Sequence, residues 1–236
     1  MDKKLTSLLI QRFGQKYSEV LGIDLKSLKN DEVFKWFFAS ILFGAPITEN
    51  AVIKTYKCFE KHKVLTPEKI LETGWDGLVE ILDEGSYTRY DFKTADKLLA
   101  VMNNLMKKYK GNLNLLHERA SDSFDLEKRL KDLGKGIGEV TVSIFLRDLR
   151  GLWKKAYPKP TSLVVLAARN LGITVEETSE KALEDIEEFW KENETSGKDL
   201  VNFETALLRL AKDFCRKKKC GVCRLRELVS CRQIVV

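Results

Sequence analysis

Histidine is nearly missing: His62 and His117 are the only two in 236 residues, and they fall on different segments. That argues against a histidine metal centre or a histidine base, and leaves each as a surface or partly packed residue. The chain also lacks a Walker-type loop, a Gly-x-Ser-x-Gly elbow and a dinucleotide fingerprint behind a strand, so the usual sequence grounds for a nucleotide hydrolase, an α/β-hydrolase or a nicotinamide enzyme are gone. Long apolar runs are missing too. The most apolar early stretch, residues 36–47, is too short to span a bilayer and is broken by Gly44 and Pro46. The opening Met1-Asp2-Lys3-Lys4-Leu5 leads into no apolar signal core with a cleavage site. The expectation is a soluble, intracellular (cytoplasmic, nucleoid-associated) monomer with no membrane partner, in a compartment that keeps thiols reduced.

Alternating strand patterns and internal repeats are also missing, and helical periodicity fills the space. Residues 31–42 are apolar on most faces and read as a buried helix with acidic residues in its first turn. Thr48 opens an amphipathic helix, and Thr66-Pro67-Glu68 is a start signal with a capping hydroxyl and a proline in first position. Helices are further expected over 76–82, over 91–109 with an end at Gly111, and over 125–133. In 176–194, Ile186, Phe189 and Trp190 are spaced for a core face and the acidic residues for a solvated one. The fold class is all-α. The length suits one large domain or two small ones.

Cysteine is unevenly spread. Cys58 stands alone in a helical pattern and reads as a small buried hydrophobe. Cys215, Cys220, Cys223 and Cys231 share one short stretch, separated by four, two and seven residues. Thiolates are soft ligands, and four so close can surround one metal centre. Structural zinc sites use two close pairs, whereas here only Cys220 and Cys223 form one, which suits a 4Fe–4S cluster better. Zinc and disulfides remain the alternatives. Arg216, Lys217, Lys218, Lys219, Arg224, Arg226 and Arg232 crowd the same stretch against Glu227 alone. The net charge of +6 is mild, but its placement here and at Lys154-Lys155 suits a phosphate backbone.

A second motif lies at Leu133-Gly134-Lys135-Gly136-Ile137-Gly138-Glu139, between two helical segments. Glycines at 136 and 138 clear the way for another backbone, and Ile137 between them can turn inward to pin the turn. The following helix would then direct free amides and the positive end of its dipole at a phosphate. On this reading Lys135, Gly136, Ile137 and Gly138, with Lys217, Lys218 and Lys219, contact double-stranded DNA. A plain interhelical turn is the bland alternative.

Taken together, the Gly136-Ile137-Gly138 hairpin and the downstream four-cysteine loop resemble the endonuclease III family of DNA glycosylases, which includes the adenine-mismatch enzymes. The stretch from Gly85 to Ala95, with Tyr87 and Lys93, resembles that family's helix entry. Tyr109-Lys110-Gly111-Asn112 resembles its small turn before the hairpin. The likeness spans roughly residues 30–232. It implies a six-helix barrel over 31–150, with the helix–hairpin–helix at about 126–149. It also implies an iron–sulfur domain built from 1–30 and 151–236, and base-excision repair by hydrolysis of an N-glycosidic bond.

Two positions depart from the family. Where bifunctional members carry the lysine that attacks the sugar, this chain has Val140, which can form no Schiff base. The family aspartate that supports the sugar cation falls at Pro160 or Thr161, in a segment (residues 157–162) without a carboxylate. The glutamate of the adenine-mismatch members has no counterpart in residues 36–42, and Phe43-Gly44-Ala45-Pro46 replaces the family's polar residues there. Lys159 is the one candidate nucleophile near the vacant slot, a solvated loop lysine being the plainer reading. A divergent glycosylase, a DNA-binding or damage-sensing protein without catalysis, and a redox cluster protein all remain open.

Overall fold

The computed structural model describes residues 3–223 and Leu225; Cys231, the fourth proposed ligand, lies outside the described residues. The described residues form helices and turns without a strand, as expected of an all-α chain. Two compact units emerge, Ser18–Pro158 and the pair of segments Met1–Tyr17 and Lys159–Val236. The one-turn helix α2 (Tyr17–Val20) lies where the chain passes from one unit to the other.

The Ser18–Pro158 unit is organised around α3 (Asn30–Phe43). Every residue from Trp36 to Leu42 is fully buried, which is what a helix apolar on all faces requires. Its one polar member, Ser40, donates to the Trp36 carbonyl at 2.8 Å. Each buried phenylalanine there contributes about 1.5–3 kcal/mol of apolar transfer. Around α3 stand α4 (Glu49–Lys61), α5 (Pro67–Glu84), α6 (Asp91–Tyr109), α7 (Leu113–Arg119), α8 (Ser123–Lys131) and α9 (Glu139–Asp148). Trp36 Nε1 donates to the Phe145 carbonyl of α9 at 3.0 Å, and Tyr87 Oη to the Leu42 carbonyl at 2.8 Å.

Caps set several starts. Thr48 accepts from the Ala51 amide, and Thr66 from the Lys69 amide with Pro67 in first position. The expected helix over 76–82 is the second half of α5, which continues across a kink at Gly74 (φ 69°). The α6 helix ends in a left-handed cap at Lys110, one residue before the expected Gly111.

This unit reaches beyond residues 31–150, for physical reasons at both ends. Asp148 accepts from Ser18 Oγ at 2.8 Å, and Leu21, Ile23 and Leu25 are buried. At the other end Trp153 is buried, and Arg150 donates to the Pro158 carbonyl at 2.7 Å.

The second unit packs α1 (Lys3–Phe13), α10 (Ser162–Asn170), α11 (Ser179–Glu192) and α12 (Leu200–Leu210) around a core that includes Leu9, Val164, Ile186, Trp190, Phe203 and Leu207. Asp199 and Asn202 form a reciprocal capping box at the start of α12. Asn202 also donates to the Gly14 carbonyl at 2.8 Å, and Arg209 to the Phe13 carbonyl at 2.9 Å, tying α12 to α1.

Candidate functional site

The turn between α8 and α9 is built on an inward isoleucine. Ile137 is 4% exposed, while Lys135, Gly136 and Gly138 are exposed around it. Its amide donates to the Gly134 carbonyl at 3.1 Å, closing the loop. Gly134 lies tight against α6, since a Cβ there would stand 2.8 Å from Val101 Cγ2.

Gly136 and Gly138 do different work. Gly136 has φ 92°, a conformation that costs any other residue strain, and a Cβ on it would fall 2.7 Å from Lys97 Cε. Gly138 is extended at φ −99° and a Cβ on it would meet nothing within 4 Å. Its missing side chain is therefore dispensable to the fold, and leaves room for something outside the unit.

The first turn of α9 follows directly, without a side-chain cap at Gly138. Amides at a helix start need acceptors, and an anion can supply them. Lys131 and Lys135 lie beside the turn. The opposing carboxylate, Glu139, is 91% exposed and 3.7 Å from Lys131 Nζ. Val140 is 58% exposed on the same turn and offers no reactive group.

Lys97 of α6 carried no sequence signal. It stands well before the hairpin in the chain and belongs to no motif. Its half-buried side chain runs along the turn, with Nζ 3.4 Å from the position of a Gly136 Cβ. Burial alone pushes its ammonium below the ordinary lysine range.

The remaining candidates belong to the other unit. Of Pro160 and Thr161, the two positions that the resemblance set against an aspartate, Thr161 caps α10 by accepting from the Val164 amide at 3.5 Å. The first turn of α10 holds no acidic residue. Lys159 is 62% exposed and ion-paired with Glu180, whose carboxyl it holds below the usual range. An exposed ammonium engaged in an ion pair is a poor nucleophile.

Cys215 ends a five-residue π turn, Ala211–Cys215, and Cys220 opens a short turn, Cys220–Val222, just before Cys223. Among the described residues none of the three forms a disulfide; all are half-buried, and Cys215 and Cys223 pack on the unit's core. Three thiols in one short stretch match a soft centre in donor chemistry. Among the described residues, however, no three metal-binding side chains come together as a ligand group. Lys217, Lys218 and Lys219 are exposed on the intervening turn, where Lys218 takes the left-handed conformation and Lys217 lies 3.7 Å from Asp213.

Cys58 keeps its reading as a small buried hydrophobe, whereas Lys155, counted by sequence among the cations facing a phosphate backbone, is engaged within the fold. Cys58 is 8% exposed on α4. Lys155 donates to the His117 and Glu118 carbonyls at 2.9 and 3.2 Å, which commits it to the end of α7. Among the described residues no helix is long and apolar enough to cross a membrane. Comparison with known proteins finds no family model that matches the chain and no matching curated protein.

Proposed function

We propose that this protein binds double-stranded DNA through the α8–α9 hairpin, as a base-excision-repair protein of the endonuclease III type with little or no base-release activity. The observation that carries this is the open, side-chain-free approach at Gly138 beside the uncapped start of α9. A DNA phosphate there would accept from backbone amides, with Lys135 adding charge; Lys217 to Lys219 would offer the DNA backbone positive charge on their own unit. Phosphate contacts of this kind position a protein without reading bases. The Ser18–Pro158 unit corresponds, on this reading, to the six-helix barrel of the family. Cys215, Cys220, Cys223 and Cys231 would hold a 4Fe–4S cluster, whose role at that place is to fold the basic loop around a soft centre.

Chemistry is where the chain departs from the family. Departure of a base leaves positive charge on the sugar, and electrostatic help at that charge is a large catalytic contribution. Thr161 spends its oxygen on the cap of α10, and Val140 has nothing to offer a sugar carbon. Slow or no release of uracil and oxidised pyrimidines is expected despite DNA binding. Borohydride trapping beside a base-release assay tests this. A trapped adduct at Lys159 would make the protein a lyase with a relocated nucleophile, and rapid release without trapping would reveal a carboxylate elsewhere at the sugar.

The binding reading is tested by anisotropy titrations with several duplexes and the Gly138→Val variant. Open space around a Gly138 Cβ means the variant folds, so lost affinity reports the interface. Equal weakening on all sequences is expected. Unchanged affinity would leave the turn as an ordinary helix connection.

A further inference from the structure

Lys97 is a half-buried ammonium whose side chain lies beside the hairpin, with Cε 2.7 Å and Nζ 3.4 Å from where a Gly136 Cβ would stand. Among the described residues no carboxylate or hydrogen-bond acceptor pairs with it. Burial alone perturbs it, and no neighbouring charge opposes or relieves that burial. Partly desolvating a cation without a counter-charge is unfavourable, so a fold that keeps one leaves it ready for an anion from outside. Half burial of the side chain restricts its positions, and the missing side chain of Gly136 leaves the room its end occupies beside the turn. Lys135, by contrast, is exposed on the turn and free to sample many positions.

We propose that Lys97 is a preorganised phosphate-binding residue of the hairpin, supplying from α6 a fixed positive charge to the DNA backbone gripped at Gly136 to Gly138. This rests on the reading of the hairpin as a DNA contact and adds a residue from outside it. A preordered lysine gives up less side-chain freedom on binding than an exposed one. Lys97 therefore contributes more to affinity than Lys135, although Lys135 belongs to the motif and Lys97 does not.

The experiment compares Lys97→Met, Lys97→Arg and Lys135→Met with the unmodified protein in anisotropy titrations on duplex DNA across a salt series, beside thermal melts. Methionine keeps the packed stem and removes the charge, so Lys97→Met is expected to melt at the same temperature or higher. Its log–log salt slope should be shallower by about one phosphate's worth, with affinity reduced about tenfold on every duplex sequence. Lys97→Arg should retain most of the slope, and Lys135→Met should lose less affinity than Lys97→Met. If the unmodified protein fails to bind duplex, the hairpin reading itself falls. If it binds and Lys97→Met keeps both slope and affinity, Lys97 is only packing and the proposal alone is overturned. A Lys97→Met protein that melts lower and loses affinity only in proportion to its unfolded fraction overturns it too.

Discussion

Gly85 and Gly138 are both glycines with negative φ, yet the fold treats them oppositely. A Cβ on Gly85 would stand 2.3 Å from Thr55 Oγ1 and 2.4 Å from Thr55 Cα, where α4 crosses the end of α5. Backbone cannot rotate away, so Gly85→Ala should cost about 1–3 kcal/mol in a denaturant melt. Gly138→Ala, with open space around it, should stay within about 0.5 kcal/mol. Equal costs at the two sites would mean that the α4–α5 crossing yields more than its geometry allows. His117 gives a pH dependence at the same scale. Its ring stacks on Trp153 at 4.5 Å, and Nε2 is buried without a hydrogen-bond partner among the described residues. Burial first, and Lys155 second, hold its pKa below the ordinary 6.5. The unfolded chain therefore takes up the proton first as pH falls. The contribution of His117 is fully present above 6.5 and is lost as pH drops towards the depressed folded value. Replacing His117 with Phe keeps the stack and should flatten stability across that window. A melt series with the same slope in both proteins would assign the pH dependence to other groups.

Capping chemistry was the most legible feature at the scale of elements. Thr48 and Thr66 were readable because a hydroxyl before an amphipathic run has one good use, and both accept from the third residue on. The α6 helix matches its expected span of 91–109, since its apolar period is unbroken. The turn that ends it has two left-handed residues, Lys110 as the cap and Gly111 after it. In α5 the backbone leaves helical geometry at Gly74 (φ 69°), so the helix expected over 76–82 is a run of its own after that break. The capping box of α12 escaped sequence reading because Asn202 stands where a Glu or Gln is the usual signal. Asp199 accepts from the Asn202 amide at 3.1 Å and pairs with Lys16 at 2.5 Å. Asp199→Ala should cost about 1 kcal/mol through the lost cap. The ion pair, open to water at its Asp199 end, adds less than the cap, so Lys16→Met should cost less. The reverse order, measured by urea unfolding, would mean that the ion pair and not the cap anchors α12.

For the whole molecule, the hairpin was readable because glycine spacing around one apolar residue is a local signal, and Ile137 is indeed inward. Lys97 was not readable, because the contact that gives it meaning joins α6 to a turn far along the chain. That Val140 and Thr161 offer neither an amine nor a carboxylate was legible as identity, but that Thr161 serves as the cap of α10 needed coordinates. The cysteines bring the last prediction. Cys215, Cys223, Phe214 and Leu225 pack on the same core as α1, α10 and α12. Thiolates brought to one iron–sulfur centre would repel one another without it, and metal binding in such a loop is folding free energy. Anaerobically purified protein should therefore be brown and contain iron and sulfide. Removing the iron should loosen the segment from Ala211 to Cys223 and speed tryptic cleavage at the already exposed Lys217 to Lys219, while Ser18–Pro158 stays resistant on its own core. Zinc without iron in that preparation would overturn the assignment. If the protein contains iron and its removal leaves the trypsin pattern of the basic turn unchanged, then packing alone holds that turn and the cluster serves another purpose.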